Sequence, residues 1–169
     1  MANDYGNRPW ILDTAPYQTG TVGITQYGVT VTGTGTVWTA TTHPSSPTTD
    51  NRDFVTQISV DSGVTWYDVA SRDSNTQLTL LKQFAEATVA GASYLTRRLL
   101  LGSKKIASTR WVGATAGHTA TIRDANYKIK ITGTADATNQ DEELLNVPVW
   151  VNGFALTALP SGVLYVYIE

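Results

Sequence analysis

Between residues 20 and 80 apolar and hydroxyl-bearing side chains alternate in short runs broken by turn formers, a period that suits strands and defeats helices. Thr21-Val22-Gly23-Ile24-Thr25 and Val29-Thr30-Val31-Thr32 each present one apolar and one polar face. Tyr27-Gly28 lies between them and offers the positive φ of a tight reversal, so the two runs are expected to form a hairpin. Gln57-Ile58-Ser59-Val60 and Val64-Thr65-Trp66-Tyr67-Asp68-Val69 flank Asp61-Ser62-Gly63, where Asp folds onto its own backbone and Gly accepts left-handed dihedrals. A second hairpin is expected there, and Ser71-Arg72-Asp73-Ser74-Asn75 turns the chain into Gln77-Leu78-Thr79-Leu80. Strands this short cannot bury their apolar faces singly, which points to a small antiparallel sandwich or barrel.

The remaining chain extends the all-β expectation, with one exception. From residue 80 to 90 the positions Leu80, Leu81, Phe84, Ala87 and Thr88 fit an amphipathic helix of two to three turns that Gly91 would end. Residues 94–101 are apolar and β-prone apart from Arg97-Arg98, and Gly102-Ser103 reads as a joint. Beyond it, residues 106–112, 119–122, 127–132, 147–151 and 163–168 read as strands, with Asp124-Ala125-Asn126 as a turn. Thr32-Gly33-Thr34 and Thr132-Gly133-Thr134 read as a shared turn that ends a strand. Two small antiparallel sandwich or barrel units are therefore expected, residues 20–102 and 103–169, preceded by an extended arm over residues 1–19. The arm lacks periodicity and is rich in aromatics, which suits a segment lying on a surface, its own or a neighbour's.

Composition narrows the function. Charged residues make up only 15% of the 169, against about 25% in an average soluble protein, and Thr takes their place on a surface that suits either contact with neighbours or an extracellular monomer. A net charge of −2 supplies no field for nucleic acid. Cys is absent, which removes disulfides and thiolate metal sites. No run has the length of a signal core or of a membrane span, so a soluble chain made in the cytoplasm is expected.

No reactive constellation stands out. His43 precedes Pro44 in a polar loop with Ser45, Ser46 and Pro47, and His118 follows Gly117 in a turn; neither has the setting of a nucleophile relay or the spacing of a zinc site. Asp141-Glu142-Glu143 reads as a solvated turn, since no alternating calcium-ligand loop surrounds it. Asp50, Asp53, Asp61, Asp68 and Asp73 are scattered through turns, with no glycosidase signal beyond carboxylates. Arg97, Arg98, Lys104 and Lys105 group four positive charges that read as solvated. Trp66-Tyr67 would offer a sugar at most one exposed ring, and Gly33-Thr34-Gly35 lacks the residues of a phosphate loop.

Residues 20–25, residues 29–38 ending Thr36-Val37-Trp38, then 67–71, 73–80 and Gly91-Ala92-Ser93-Tyr94 together resemble a β module common in tailed-phage virion proteins, among them head decoration proteins, fibres and tail-associated proteins. Residues 106–118, Val151-Asn152-Gly153 and 161–167 are similar to another small β domain encoded among phage structural genes. The proline-containing loop after Thr39 departs from the compact module.

The resemblance implies a non-enzymatic virion structural protein without cofactor, assembled in the host cytoplasm. The leading expectation is a decoration or cement protein on the capsid, contacting the major capsid protein or other virion proteins as a homo-oligomer, a trimer by analogy. A neck, tail or fibre-anchoring protein is the nearest alternative; a carbohydrate-binding module using Trp66 or Trp38 belongs to another class, and a glycosidase is a third. Partner contacts are expected from Tyr5, Arg8, Trp10, Ile11 and Tyr17 of the arm and from Arg97 and Arg98, with no specific nucleic acid and no membrane.

Overall fold

The computed structural model describes residues 10–12, 18–39, 54–138, 140–145 and 148–168. Among them the protein is all-β, with thirteen strands, no helix and only antiparallel pairing. The chain divides into two compact units: residues 16–101, and residues 102–169 together with residues 1–15.

In the unit of residues 16–101, β2 (Thr21–Ile24) pairs with β3 (Thr30–Thr34), Ile24 opposite Val31, as the alternation requires. Val22, Ile24 and Val31 are buried while Thr30, Thr32 and Thr34 face water. The reversal takes its positive φ from Tyr27 (62°), not from Gly28. Gly28 serves differently, because a Cβ there would stand 2.9 Å from the Thr25 carbonyl oxygen. β4 (Phe54–Ser59) pairs with β5 (Tyr67–Ser74) across a turn in which Ser62 (61°) and Gly63 (88°) are left-handed. β5 continues through Ser74, so Asn75-Thr76 alone turns it into β6 (Gln77–Leu80), which pairs with β3. β7 (Val89–Ala92) flanks β2.

The helix expected over residues 80–90 does not form. Its backbone groups are taken by the β2–β3 turn: the Leu80 amide donates to Val29 O (2.7 Å), the Phe84 amide to Gly28 O (2.9 Å), and Phe84 O accepts from the Tyr27 amide (2.7 Å). Phe84 is fully buried on the Tyr67 ring, 5.1 Å between centroids, whereas Leu81, on the apolar stripe of the expected helix, is exposed. A helix this short has little stability of its own to set against those bonds.

β8 (Leu95–Ala114) is twenty residues long. It contains both of the strands expected on either side of Gly102, and its residues 95–100 pair with β4, Leu100 opposite Phe54. The core of residues 16–101 gathers Val22, Ile24, Val31, Trp38, Ile58, Val69, Leu78, Leu80, Phe84 and Tyr94. Trp38 meets the edge of Tyr94 at 6.0 Å and donates from Nε1 to its hydroxyl (3.1 Å), which in turn donates to Thr19 O (2.9 Å).

In the other unit, β9 (Thr119–Asp124) and β10 (Ile129–Thr134) form a hairpin around Ala125-Asn126, with Tyr127 left-handed at 63°. The second Thr-Gly-Thr lies inside β10, and the first inside β3, so both are strand ends and not turns. Thr119–Thr134 and Thr121–Thr132 hydroxyl pairs, at 2.8 and 3.3 Å, bridge the hairpin. β11 (Gln140–Leu145) pairs with β8, β12 (Val149–Ala158) with β9, and β13 (Val163–Ile168) with residues 106–112 of β8. The acidic run is thus part of a strand, not a turn, and sets Glu143 opposite Arg110 in register. Pairing with β8 overrides the weak strand propensity of Asp and Glu. β1 (Trp10–Leu12) lies against β13, with Trp10, Ile11 and Leu12 opposite Val166, Tyr165 and Leu164.

Candidate interaction surfaces

Arg97 sits on β8 opposite Gln57 of β4, and the register decides its environment. Its side chain is 3% exposed. Nε donates to Gln57 Oε1 (2.7 Å), Gln57 Nε2 donates to Asp68 Oδ1 (2.7 Å), and the guanidinium lies 4.0 Å from the centre of the Trp66 ring. A buried cation is tolerated where hydrogen bonds and an aromatic face replace water. Arg97 therefore departs from the solvated position expected for it and stitches β4, β5 and β8 together. Arg98, next in the strand, is exposed; Lys104 and Lys105 are half-buried.

The two rings considered for stacking on a glycan are both engaged. Trp38 is fully buried in the core. Trp66 is half-buried, carries Arg97 on its ring, and donates from Nε1 to Gly63 O (2.9 Å). The aromatic side chains that stand most exposed among the described residues are Trp150 on β12, 67% exposed, and Tyr27 at the β2–β3 turn, 65% exposed.

Of the expected arm contacts, Trp10 and Ile11 belong to β1. Tyr5, Arg8 and Tyr17 lie outside the described residues, as do His43 and the proline-containing loop. Three apolar residues in an otherwise aperiodic segment carry no strand signal of their own, so their attachment to β13 was not legible in advance.

His118 is fixed in its turn. Its Nδ1 lies 2.8 Å from Ser161 Oγ, which also accepts the Thr115 amide (2.9 Å), while the Ser161 carbonyl accepts Trp111 Nε1 (2.9 Å). The His118 carbonyl accepts the Ala135 amide (2.9 Å). These bonds fasten the segments that follow β8, β10 and β12, and Ser161 escaped sequence reasoning because the pair is 43 residues apart. Among the described residues no group of three or more His, Cys, Asp or Glu side chains could hold a metal ion.

Three aspartates hold turns and strand ends. For Asp61, burial pulls the carboxyl upward, but the Ser59 hydroxyl (2.6 Å) and the Thr65 and Val64 amides outweigh it and leave the pKa below its ordinary value. Asp73 is lowered by the Thr79 hydroxyl (2.6 Å) and then the Ser71 hydroxyl (2.7 Å), against a smaller opposing effect of burial. For Asp124 burial again pulls upward, and the Lys128 amide (2.9 Å) with Lys130 Nζ (3.3 Å) brings the carboxyl below its ordinary value.

Carboxylates lowered on folding stabilise the protein above the unfolded value, about 3.9 for Asp, and lose that contribution as pH falls through the lower folded value. Stability is therefore expected to drop below about pH 4, and Asp73→Asn to blunt the drop. Urea titrations across the acid range check this; an unfolding free energy that does not fall in acid contradicts it.

These observations define the chain as an all-β protein. Comparison with protein-family models, with curated proteins and with solved structures returned no match.

Proposed function

We propose that this chain is a non-enzymatic structural protein of a tailed-phage virion, a decoration or cement subunit that strengthens the head through many small contacts. The observation that carries the reading is the attachment of β1 to the edge of β13. Strand addition joins a segment to a sheet through main-chain hydrogen bonds and needs no reactive group, and repetition over a lattice multiplies modest contacts into a stable shell. The phage-like sequence patterns of residues 20–25, 29–38, 67–71, 73–80, 91–94, 106–118, 151–153 and 161–167 support it further, as does the low charge. Exposed apolar side chains at Tyr27, Val64, Leu81 and Trp150 offer contact points for the major capsid protein or for other virion proteins.

Mass-spectrometric copy counting in purified virions that carry this sequence tests the reading. A cement protein is expected in numbers that scale with the capsid lattice. A count matching a single ring moves the protein to the neck or tail, and its absence from the particle overturns the proposal. Turnover of capsular or cell-wall polysaccharide by the purified chain would overturn its non-enzymatic half.

A further inference from the structure

The terminal strands are guarded unequally. β10 opens with exposed Ile129 and Lys130, directly after exposed Lys128, and has an irregular register at Ile129/Ile131, features that discourage pairing with a foreign strand. β7 is four residues long, has an irregular register against β2, and bends at left-handed Gly91 (67°). β13 has no charged residue, and its one register irregularity, at Tyr167/Ile168 against β8, lies beyond Leu164, Tyr165 and Val166, which pair with β1. Its sequence, Val163-Leu164-Tyr165-Val166-Tyr167-Ile168, is uncharged, free of Gly and Pro, and rich in β-branched and aromatic residues. An open edge of that composition pairs readily with another strand. In this fold, what covers it is β1.

The β1–β13 ladder contains three residue pairs, so releasing β1 breaks a short local structure. Residues 13–162 separate the two strands, and no tight turn ties β1 to the β13 of its own chain. Any copy of residues 10–12 can form the same three pairs in the same register, and effective concentration selects the copy.

We propose that the edge of β13 is a strand-acceptor site for a second copy of this chain, with Trp10–Leu12 as the exchanged strand. Reciprocal exchange closes a symmetric dimer, and head-to-tail exchange closes a ring. The inference rests on the homo-oligomer expected from the sequence and not on the virion part of the functional reading.

The absence of Cys makes the test direct. Ile11 and Tyr165 are opposite in register. Single variants Ile11→Cys and Tyr165→Cys, mixed as full chains and oxidised, are expected to yield a disulfide-linked heterodimer. Its yield should rise with concentration to about tenfold that of Ile11→Cys mixed with the control Ser103→Cys, with unchanged circular dichroism. If the double variant Ile11→Cys/Tyr165→Cys closes only within single chains and the mixture stays unlinked, the proposal is overturned.

Should neither combination form a disulfide, sedimentation of the unmodified chain decides. An oligomer that becomes monomeric on deleting residues 1–12 supports exchange; a monomer throughout, or an oligomer that survives the deletion, overturns it. A chain missing from virions that still exchanges strands would sink the virion reading alone, whereas one abundant in virions but unlinked and monomeric would sink the exchange alone.

Discussion

Trp38→Ala is expected to destabilise the unit of residues 16–101 by about 3–5 kcal/mol, a large share of what holds a domain of this size together. The indole is fully buried, so its removal leaves a cavity bounded by close-packed neighbours. The Tyr94 hydroxyl also loses the Nε1–H it accepts at 3.1 Å, though it keeps its own bond to Thr19 O. Trp38→Phe separates the two effects: it retains most of the ring and should cost less, the lost hydrogen bond contributing about 1 kcal/mol. Urea denaturation followed by circular dichroism measures both. A cost below about 1 kcal/mol for Trp38→Ala would mean that the indole does not occupy the core. The same Tyr94–Thr19 bond sets a boundary for truncation: deletion through Leu12 spares it, whereas deletion through Thr19 removes the acceptor.

Gly162→Ala is the second large effect, this time in the unit containing residues 102–169. Gly162 has φ +71°, and a Cβ added there would meet the Val112 carbonyl oxygen and stand 2.9 Å from the Gly113 carbonyl carbon. The conformation alone costs an L-residue about 1–2 kcal/mol. Collision with main chain that cannot swing aside adds about 1–3 kcal/mol. Gly117→Ala is the matched control, since Gly117 is also left-handed, at φ +78°, but has nothing within 4 Å of the added atom. It should show the conformational cost alone. Equal losses for the two variants in chemical denaturation would contradict the close approach of Gly162 to β8.

Local pattern and final structure diverge most where distant partners compete for the same backbone or side chains. Residues 80–90 have helical spacing, yet the amide and carbonyl of Phe84 bond to Gly28 and Tyr27, more than fifty residues earlier. Asp141-Glu142-Glu143 has the composition of a solvated turn, yet it lies in β11 beside β8. Arg97 looks like a surface charge, and only its position opposite Gln57 and over Trp66 makes burial tolerable. In each case the missing information was the identity of a neighbour remote in sequence.

The hairpins behaved differently because their determinants are adjacent. Alternating Val and Thr sort themselves between core and water at period two, and Asp61-Ser62-Gly63 or Asp124-Ala125-Asn126 reverses the chain within a few residues. The order of side chains along the chain was therefore enough to establish the all-β class and most strands. Tertiary structure alone decided which edges meet. It buried Trp38 and Arg97, brought Ser161 to His118, and set Trp10–Leu12 on β13. Strand pairing joins residues of any separation through backbone groups that every amino acid shares, so the sequence carries little mark of the partner until the chain has folded.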